Sequence, residues 1–229
     1  MATKNGIVKK TSAREYSRPR VNGVNAITIK DGDELLTARL TNGQSEIILG
    51  SKAGYAVRFD EADARAIGRT GAGVKGMTLR GDTDEVIGMV CVDVNASNQE
   101  DIMVVSENGY GKRSALEDYR KTSRGGKGVK TISVTEKTGN LIAINAVNDE
   151  NDLMIINKSG ITIRIGLDKI RTMGRATQGV SLIKVKEGDE IAAVAKTIRD
   201  EEEEENTDEV IDNQTENNNN ENEINNDEA

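Results

Sequence analysis

The feature that most constrains this chain is an internal repeat with a period of about fifty residues. A phrase built around one glycine occurs four times, and a second glycine phrase follows each copy. Successive glycines are 48, 55 and 51 residues apart in the first phrase and 50, 55 and 51 apart in the second. Two markers that keep one phase indicate a single supersecondary unit used four times, as in a propeller or a solenoid. The hairpin glycines are Gly6, Gly54, Gly109 and Gly160, and the second glycines are Gly23, Gly73, Gly128 and Gly179.

Each unit has the pattern of antiparallel β-structure. In the second unit, 46–50 and 55–59 read as two strands joined by a turn in which Gly54 is free to take a positive φ. Segments 73–79 and 85–92 read as a second hairpin, which brings the unit to four strands, the number in a propeller blade. The chain is therefore predicted to be all-β with about four blades. The equivalent second hairpins are 26–29 with 33–36, and 181–185 with 189–194.

Composition divides the chain into a basic body and an acidic tail. The chain has 31 Lys and Arg against 39 Asp and Glu, but residues 200–229 hold fourteen of the acids and no base. We predict a disordered tail there, and residues 1–199 alone carry a net charge of +6. A basic body favours a polyanion partner with which the tail competes, although the tail could instead only keep the protein soluble. The predicted repeats within the 1–199 domain are about 1–45, 46–100, 101–151 and 152–199.

Several function classes are disfavoured by what the sequence lacks. There is no His, which removes the commonest general base and metal ligand, and the single Cys91 lies in an apolar run. Segment 71–76 matches G-x-G-x-x-G, but a polar stretch precedes it and a β-like segment follows, so we predict no cofactor site. We expect no metal site, no membrane span or secretion signal, and a cytoplasmic location.

Basic residues recur at fixed offsets from both glycine markers. In a radial array one offset in each blade reaches the same rim, so scattered charges become a band. Such a band can neutralise many phosphates of a DNA duplex without reading bases. The alternative is that these side chains only solvate the strands. The predicted DNA-binding residues are Lys9, Lys10, Arg14, Arg18, Arg20, Arg58, Arg69, Lys75, Lys112, Arg113, Lys121, Arg124, Lys127, Arg164, Arg171 and Arg175.

Five segments together resemble one known family. They are 2–11 (ATKNGIVKKT), 31–35 (DGDEL), 57–59 (VRF), 109–113 (GYGKR) and 174–180 (GRATQGV). In this order and spacing they are similar to the C-terminal domain of bacterial DNA gyrase A. The resemblance implies a β-pinwheel, a propeller-like disc of usually six blades that exchange strands with their neighbours. It also implies that the domain wraps double-stranded DNA around a basic rim and supports ATP-dependent negative supercoiling.

The same resemblance implies limits on this chain. With four blades it resembles a fragment that starts at the third blade of the family domain. The family's hallmark, Q-[RK]-R-G-G-K-G, belongs to the first blade, and its nearest match, 122–128, lies in the third repeat and is interpreted as an equivalent loop. The catalytic tyrosine and the ATPase would lie in the rest of gyrase A and in gyrase B, so we expect no catalysis by this chain. Neither Tyr16, Tyr55, Tyr110 nor Tyr119 is predicted to be that tyrosine.

Two other interpretations remain open at the level of sequence. The first is the corresponding C-terminal domain of topoisomerase IV, which shares the fold but belongs to an enzyme that relaxes and unlinks DNA. The second is a protein-interaction propeller of the WD40 or kelch type, although no Trp-Asp pair occurs. An enzyme in its own right is disfavoured because no metal cluster or pair of nucleophile and base is visible.

Overall fold

The computed structural model describes residues 1–93, 95–96 and 100–199, so the predicted tail lies outside the described residues. Residues Met1–Thr197 form a compact unit. No α-helix occurs among the described residues, and the all-β prediction is confirmed. The 3₁₀ turns are Ala13–Tyr16, Glu61–Asp63, Leu116–Asp118 and Leu167–Lys169. The strands are β1 (Ala2–Thr3), β2 (Ile7–Val8), β3 (Leu35–Thr37), β4 (Glu46–Ser51), β5 (Tyr55–Asp60), β6 (Val74–Lys75), β7 (Val86–Val92), β8 (Asp101–Ser106), β9 (Tyr110–Ser114), β10 (Val129–Lys130), β11 (Leu141–Val147), β12 (Asn151–Asn157), β13 (Thr162–Gly166), β14 (Val180–Ser181) and β15 (Ile191–Ile198).

These strands form four antiparallel sheets, one for each repeat. The first three have the orders β3-β1-β2-β6, β10-β5-β4-β7 and β11-β8-β9-β14, and the fourth has the order β13-β12-β15. In each four-stranded sheet one outer strand, β6, β10 or β14, comes from the following repeat. Each of the first three sheets is thus a blade completed by its neighbour, which confirms the predicted β-pinwheel with exchanged strands.

The first predicted hairpin is confirmed, whereas the second is wrong. β4 pairs with β5 across Gly54, so that Ile48 lies opposite Arg58. β6 pairs with β2 of the preceding repeat, while β7 pairs with β4. Backbone hydrogen bonds explain the difference, because Gly76 N and Met77 N both donate to Gly6 O, at 2.8 and 3.1 Å. The segment after the second glycine therefore bonds to the neighbouring repeat and not to its own.

The equivalent segments in the first and fourth repeats differ from the prediction in the same way. Residues 26–29 form no strand in the described chain, and only Ser181 of 181–185 lies in one, β14. The turn predicted between 79 and 85 is present, and Asp84 stabilises it: its carboxylate accepts from Ala53 N and Arg80 N, both at 2.9 Å.

The hydrophobic core lies between the blades. Side chains on a strand alternate between its faces, and the inner strands are buried on both. On β4, Leu49 faces a cluster that also contains Phe59, whereas Ile48 faces the next cluster, with Ile102. On β8, Met103 belongs to a third cluster. Every inner blade thus contributes to two cores. Because neighbouring blades share a core, the blades and the basic residues at their edges keep fixed positions.

Candidate nucleic-acid interface

In the first three repeats, the base that follows the hairpin glycine by four residues lies at the contact between two blades. Arg58, whose side chain is 14% exposed, pairs with Glu46 at 2.5 Å between Nη2 and Oε2. Its Nη1 donates to the carbonyl oxygens of Leu116 and Tyr119 at 2.7 and 3.0 Å, at the 3₁₀ turn of the next repeat. Arg58 therefore fastens the second blade to the third.

Arg113 repeats this arrangement one blade further on. Its Nε donates to Asp101 Oδ2 at 2.6 Å, and its Nη1 donates to Asp149 Oδ1 at 2.5 Å. The same Nη1 is 3.2 Å from the carbonyl oxygen of Leu167, which opens the next 3₁₀ turn. The equivalent bonds are Lys10 Nζ to the Glu61 carbonyl at 2.9 Å and Arg164 Nε to Asp152 Oδ2 at 2.7 Å.

A signal in the sequence could have revealed these pairs. Glu46, Asp101 and Asp152 each precede their arginine by twelve residues. An acid and a base that recur at one separation indicate a repeated ion pair across a hairpin. The bases were predicted as a repeated set, whereas their acidic partners at the same spacing were not.

Lys9 and Lys112 each contact the segment that precedes the second glycine of the next repeat. Lys112 is fully buried, and its Nζ donates to the carbonyl oxygens of Gly174 and Arg175 and to Thr177 Oγ1, the first and last at 2.8 and 3.3 Å. Burial, followed by the charge of Arg175, lowers the pKa of Lys112 to about 8. Burial also lowers the pKa of Lys9, which donates to carbonyl oxygens of Ala26 and Arg69.

The predicted DNA-binding residues thus fall into two groups, according to the partners that their side chains have in this structure. A base that is buried or held by carboxylates must lose those partners before it can contact a phosphate, at a cost of several kcal/mol when the pair is buried. Lys121, although exposed, also pairs with Glu46 and Asp60, at 3.0 and 2.6 Å. The predicted residues that are buried or held by carboxylates are Lys9, Arg58, Lys112, Arg113, Lys121 and Arg164, whereas Lys10 bonds a main-chain carbonyl oxygen.

A second set of arginines, four residues before the second glycine of a repeat, joins consecutive loops. Arg124 donates from Nη1 to the carbonyl oxygen of Lys75 at 3.0 Å and from Nε to that of Asp63 at 2.9 Å. Backbone bonds add to the contact, with Gly125 N donating to Gly76 O at 2.6 Å. The equivalent bonds are Arg175 Nη1 to Lys130 O at 2.8 Å, Arg175 Nε to Asp118 O at 2.9 Å, and Arg69 Nη1 to Asn25 O at 3.1 Å.

These bonds connect the loops of successive repeats into a series. We call the segments 20–25, 69–75, 124–130 and 175–180 the glycine-loop row. Lys75 and Lys130, each two residues after a second glycine, occupy equivalent places in it and are exposed. The predicted or row bases that are exposed and have no ion-pair or side-chain hydrogen-bond partner among the described residues are Arg14, Arg18, Arg20, Lys75, Lys127, Lys130 and Arg171.

The third loop of the row borders a concave basic site. A cavity of about 460 Å³ is lined by the backbone of 125–128 and by Arg120, Arg124 and Lys127. Glycines without Cβ atoms allow another chain to approach this backbone closely. The arrangement can hold an anionic group against main chain and cations together.

Other chemistry has little support in the described part of the chain. Tyr119 is fully buried, hydrogen-bonds Thr131 at 2.5 Å, and has its pKa raised to about 12, chiefly by burial. Across residues 1–93, 95–96 and 100–199, no group of three or more His, Cys, Asp or Glu could hold a metal ion. Over the same residues, no helix has the length and apolar character needed to cross a membrane.

Comparison with known protein families matches most of the chain. A family model described as DNA gyrase C-terminal domain, beta-propeller, matches residues 1–42, 45–93, 100–148 and 151–197. DNA gyrase A of Staphylococcus aureus (strain NCTC 8325 / PS 47) is 45% identical over 208 residues, which cover 90% of this chain and 23% of that protein. The chain thus spans about a quarter of the length of the curated relatives it matches.

Two solved structures share the architecture. A crystal structure of the C-terminal domain of DNA topoisomerase IV matches with a TM-score of 0.79 and 27% identity, over 86% of this chain and 60% of that one. A structure of the DNA gyrase A C-terminal domain matches with a TM-score of 0.75 and 25% identity, over 86% of this chain and 64% of that one.

Proposed function

Because this chain belongs to the DNA gyrase C-terminal domain family, we propose that it binds double-stranded DNA without sequence preference and bends and wraps it. The observation that carries the proposal is the glycine-loop row. It presents free cations at equivalent positions of successive blades, with Lys75 and Lys130 as its repeated pair. Contacts of this kind act on phosphates and position a duplex without reading its bases.

The hydrogen bonds that the arginines make within the row explain how bound DNA would be bent. Arg124 and Arg175 tie each loop to the preceding one, so the cations keep fixed separations. A duplex that neutralises them in turn must follow the path of the protein and not its own straight axis. Histones bend DNA through backbone contacts in this manner.

In its parent protein the chain acts as a non-catalytic module. It guides DNA for the remainder of gyrase A and for gyrase B, which together bind and hydrolyse ATP and introduce negative supercoils in the cytoplasm. Topoisomerase IV is the second candidate, favoured by the TM-score of 0.79 to its C-terminal domain. The 45% identity to gyrase A supports gyrase over it. The acidic segment 200–229 competes with DNA for the row.

A linking-number assay tests the proposal. The chain is incubated with relaxed circular DNA and a nicking-closing topoisomerase, and the topoisomers are separated on a gel. We expect a shift that depends on protein concentration and is lost in the triple variant Lys75→Gln, Lys127→Gln, Lys130→Gln.

The matched control removes the same charge elsewhere. The variant Lys30→Gln, Lys137→Gln, Lys186→Gln changes three exposed lysines outside the row and should keep the shift. Binding without any shift would contradict wrapping, and equal effects of the two triple variants would contradict the row as the DNA path.

A further inference from the structure

A buried lysine occurs at the same place in two of the four repeats. The residue three places after the hairpin glycine is Lys9 in the first repeat and Lys112 in the third. Val57 and Ile163 occupy that place in the second and fourth repeats. Burial of a charged group is costly unless the group has partners. Because two repeats form their blades with an apolar residue there, the fold itself does not require the lysine.

The ammonium of Lys112 holds together the loop 174–177 of the fourth repeat. It is fully buried and donates to the carbonyl oxygens of Gly174 and Arg175 and to Thr177 Oγ1. Hydrogen bonds from a charged donor are stronger than those between neutral groups. The main chain of Arg175 is thus placed by a side chain of the third repeat.

Arg175 connects Lys112 to the glycine-loop row. The Nη1 atom of Arg175 donates to the carbonyl oxygen of Lys130 at 2.8 Å. Lys130 is exposed and is one of the cations that support the proposed contact with DNA. Two consecutive contacts, both through Arg175, therefore lead from a buried ammonium to an exposed one.

The loops of the row can be compared because the junctions between repeats share one register. The residue after each second glycine lies opposite the residue two places after the preceding hairpin glycine. The observed pairs are Val74 with Val8, Val129 with Ala56, and Val180 with Gly111. A difference between two loops therefore reflects their side chains and not a shift of the strands.

A lysine is missing from the equivalent place next to the third loop of the row. Arg124 donates to the carbonyl oxygen of Lys75 at 3.0 Å, as Arg175 does to that of Lys130. The residue beside Arg124 is Val57, which lines the same cavity and has no donor in its side chain. Lys75 is therefore an internal control for Lys130, with an equivalent arginine but no buried ammonium.

We propose that Lys112 is a positioning residue for DNA binding, which holds Lys130 in place through Arg175. This inference rests on the proposed function of the glycine-loop row. Lys112 itself stays buried and contacts no phosphate. Its ammonium fixes the loop, the loop fixes Arg175, and Arg175 fixes the main chain from which Lys130 reaches the duplex.

The charge of Lys112 makes this positioning depend on pH. Burial, followed by the charge of Arg175, lowers the pKa of Lys112 to about 8, and Asp118 acts in the opposite direction. Carboxylates and guanidinium groups do not ordinarily titrate between about pH 7 and 9, and the pKa of Tyr119 beside Asp118 is raised to about 12. Loss of the proton relieves the desolvation of the ammonium but weakens its bonds to the loop. Lys130 is therefore held in place below pH 8 and released as the pH rises through that value.

A double-mutant cycle on DNA binding by the full chain tests the connection. At neutral pH, Lys130→Gln should weaken binding about fivefold in the parent chain but less than about twofold in Lys112→Met, which has already lost the placement of Lys130. Lys75→Gln should weaken binding by the same factor in both backgrounds. Equal effects of Lys130→Gln with and without the ammonium of Lys112 would overturn the proposal.

A pH series and a second buried lysine separate positioning from a general loss of stability. The factor lost in Lys130→Gln should fall between about pH 7 and 9, whereas the factor lost in Lys75→Gln should not. Lys9→Met removes another buried ammonium, which bonds Arg69, and should leave the effect of Lys130→Gln intact. One pH series for both row lysines, or a Lys9→Met variant in which Lys130→Gln has no effect, would overturn the role of Lys112.

Amide hydrogen exchange without DNA distinguishes failure of this inference from failure of the proposed function. Ser133 N donates to Thr177 O and Thr177 N donates to Gly174 O, both at 3.2 Å. Both amides should exchange at least about fivefold faster in Lys112→Met, whereas Gly125 N, bonded to the second repeat, should exchange as in the parent chain. Unchanged exchange would overturn the role of Lys112 even in a chain that binds DNA. Faster exchange in a chain that binds no DNA would support the contact with the loop and overturn the proposed function.

Discussion

The blade contacts and the glycine-loop row both carry cations at repeat-spaced positions, but they use them in opposite ways. At the blade contact, the side chain of Arg113 is 11% exposed and is held by two carboxylates. In the row, Lys75 and Lys130 are exposed and have no ion-pair partner among the described residues. A buried cation needs partners because its desolvation is costly, whereas an exposed one stays hydrated and free to bind. A repeated charge therefore indicates a repeated environment, and burial decides which function it serves.

The largest effect on stability is expected at the blade contact, where the cations are buried. Arg113→Met leaves Asp101 without its main partner in a mostly buried position, and should lower the free energy of unfolding by about 3 kcal/mol. Urea denaturation of the variant and the parent chain measures this loss in the free energy of unfolding. The control Lys158→Met removes an ion pair with Glu190 whose side chains are 63% and 36% exposed, and should change the free energy of unfolding far less. Equal losses would mean that burial does not separate the two ion pairs.

Lys112→Met should lower the free energy of unfolding by about 2 kcal/mol at neutral pH, because buried oxygens lose their donor. The pKa of Lys112 is lowered from 10.5 to about 8, mainly by burial. Between these values the unfolded chain binds more protons than the folded one, so the stability contributed by Lys112 rises with pH. The stability difference between the parent chain and the variant should therefore grow from pH 8 to 10.5. A constant difference would contradict the lowered pKa.

Arg124 is intermediate between the blade contacts and the glycine-loop row, since it belongs to the row but is half-buried. Arg124→Lys keeps the charge but cannot bond both carbonyl oxygens as a planar guanidinium does. We expect a loss of about 1 kcal/mol in stability and about fivefold in DNA affinity. The salt dependence of binding should stay unchanged. If Arg124→Ala alone weakened binding, charge and not loop position would be what Arg124 contributes.

The smallest effect on stability is expected in the row itself. Lys75→Gln or Lys130→Gln should change the free energy of unfolding by less than about 0.5 kcal/mol. Each should lower the slope of log binding constant against log salt concentration by about one unit. Lys186→Gln is the control and should leave the slope as it is. A slope that no row lysine changes would remove the row from the DNA path.

The hairpins were predictable from sequence, whereas the exchange of strands was not. Gly54 and the apolar residues on both sides of it specify β4 and β5 locally. Val74 and Lys75 form a strand of two residues, which is too short for a periodic pattern to select a partner. The partner is selected by close approach of Gly73 to Val8, a contact between residues in different repeats.

For the candidate interface, the sequence predicts that the bases recur but not the surroundings in which each of them lies. Constant offsets located the bases correctly as repeated features, but offsets carry no information about burial. The role of Arg124 and Arg175 was missed because their acceptors are main-chain carbonyl oxygens, which leave no mark in the sequence. Contacts with backbone are visible only once the blades are packed.

The inner strands β4 and β8 face two cores each, and the junction register is the same at every blade. A deletion that removes part of a repeat leaves one core without its second half, whereas removal of a whole repeat brings matching surfaces together. The gene can therefore gain or lose about fifty codons at a time with no new interface to evolve. A change in the length of such an array should therefore come in whole blades, each with the same interface to the next.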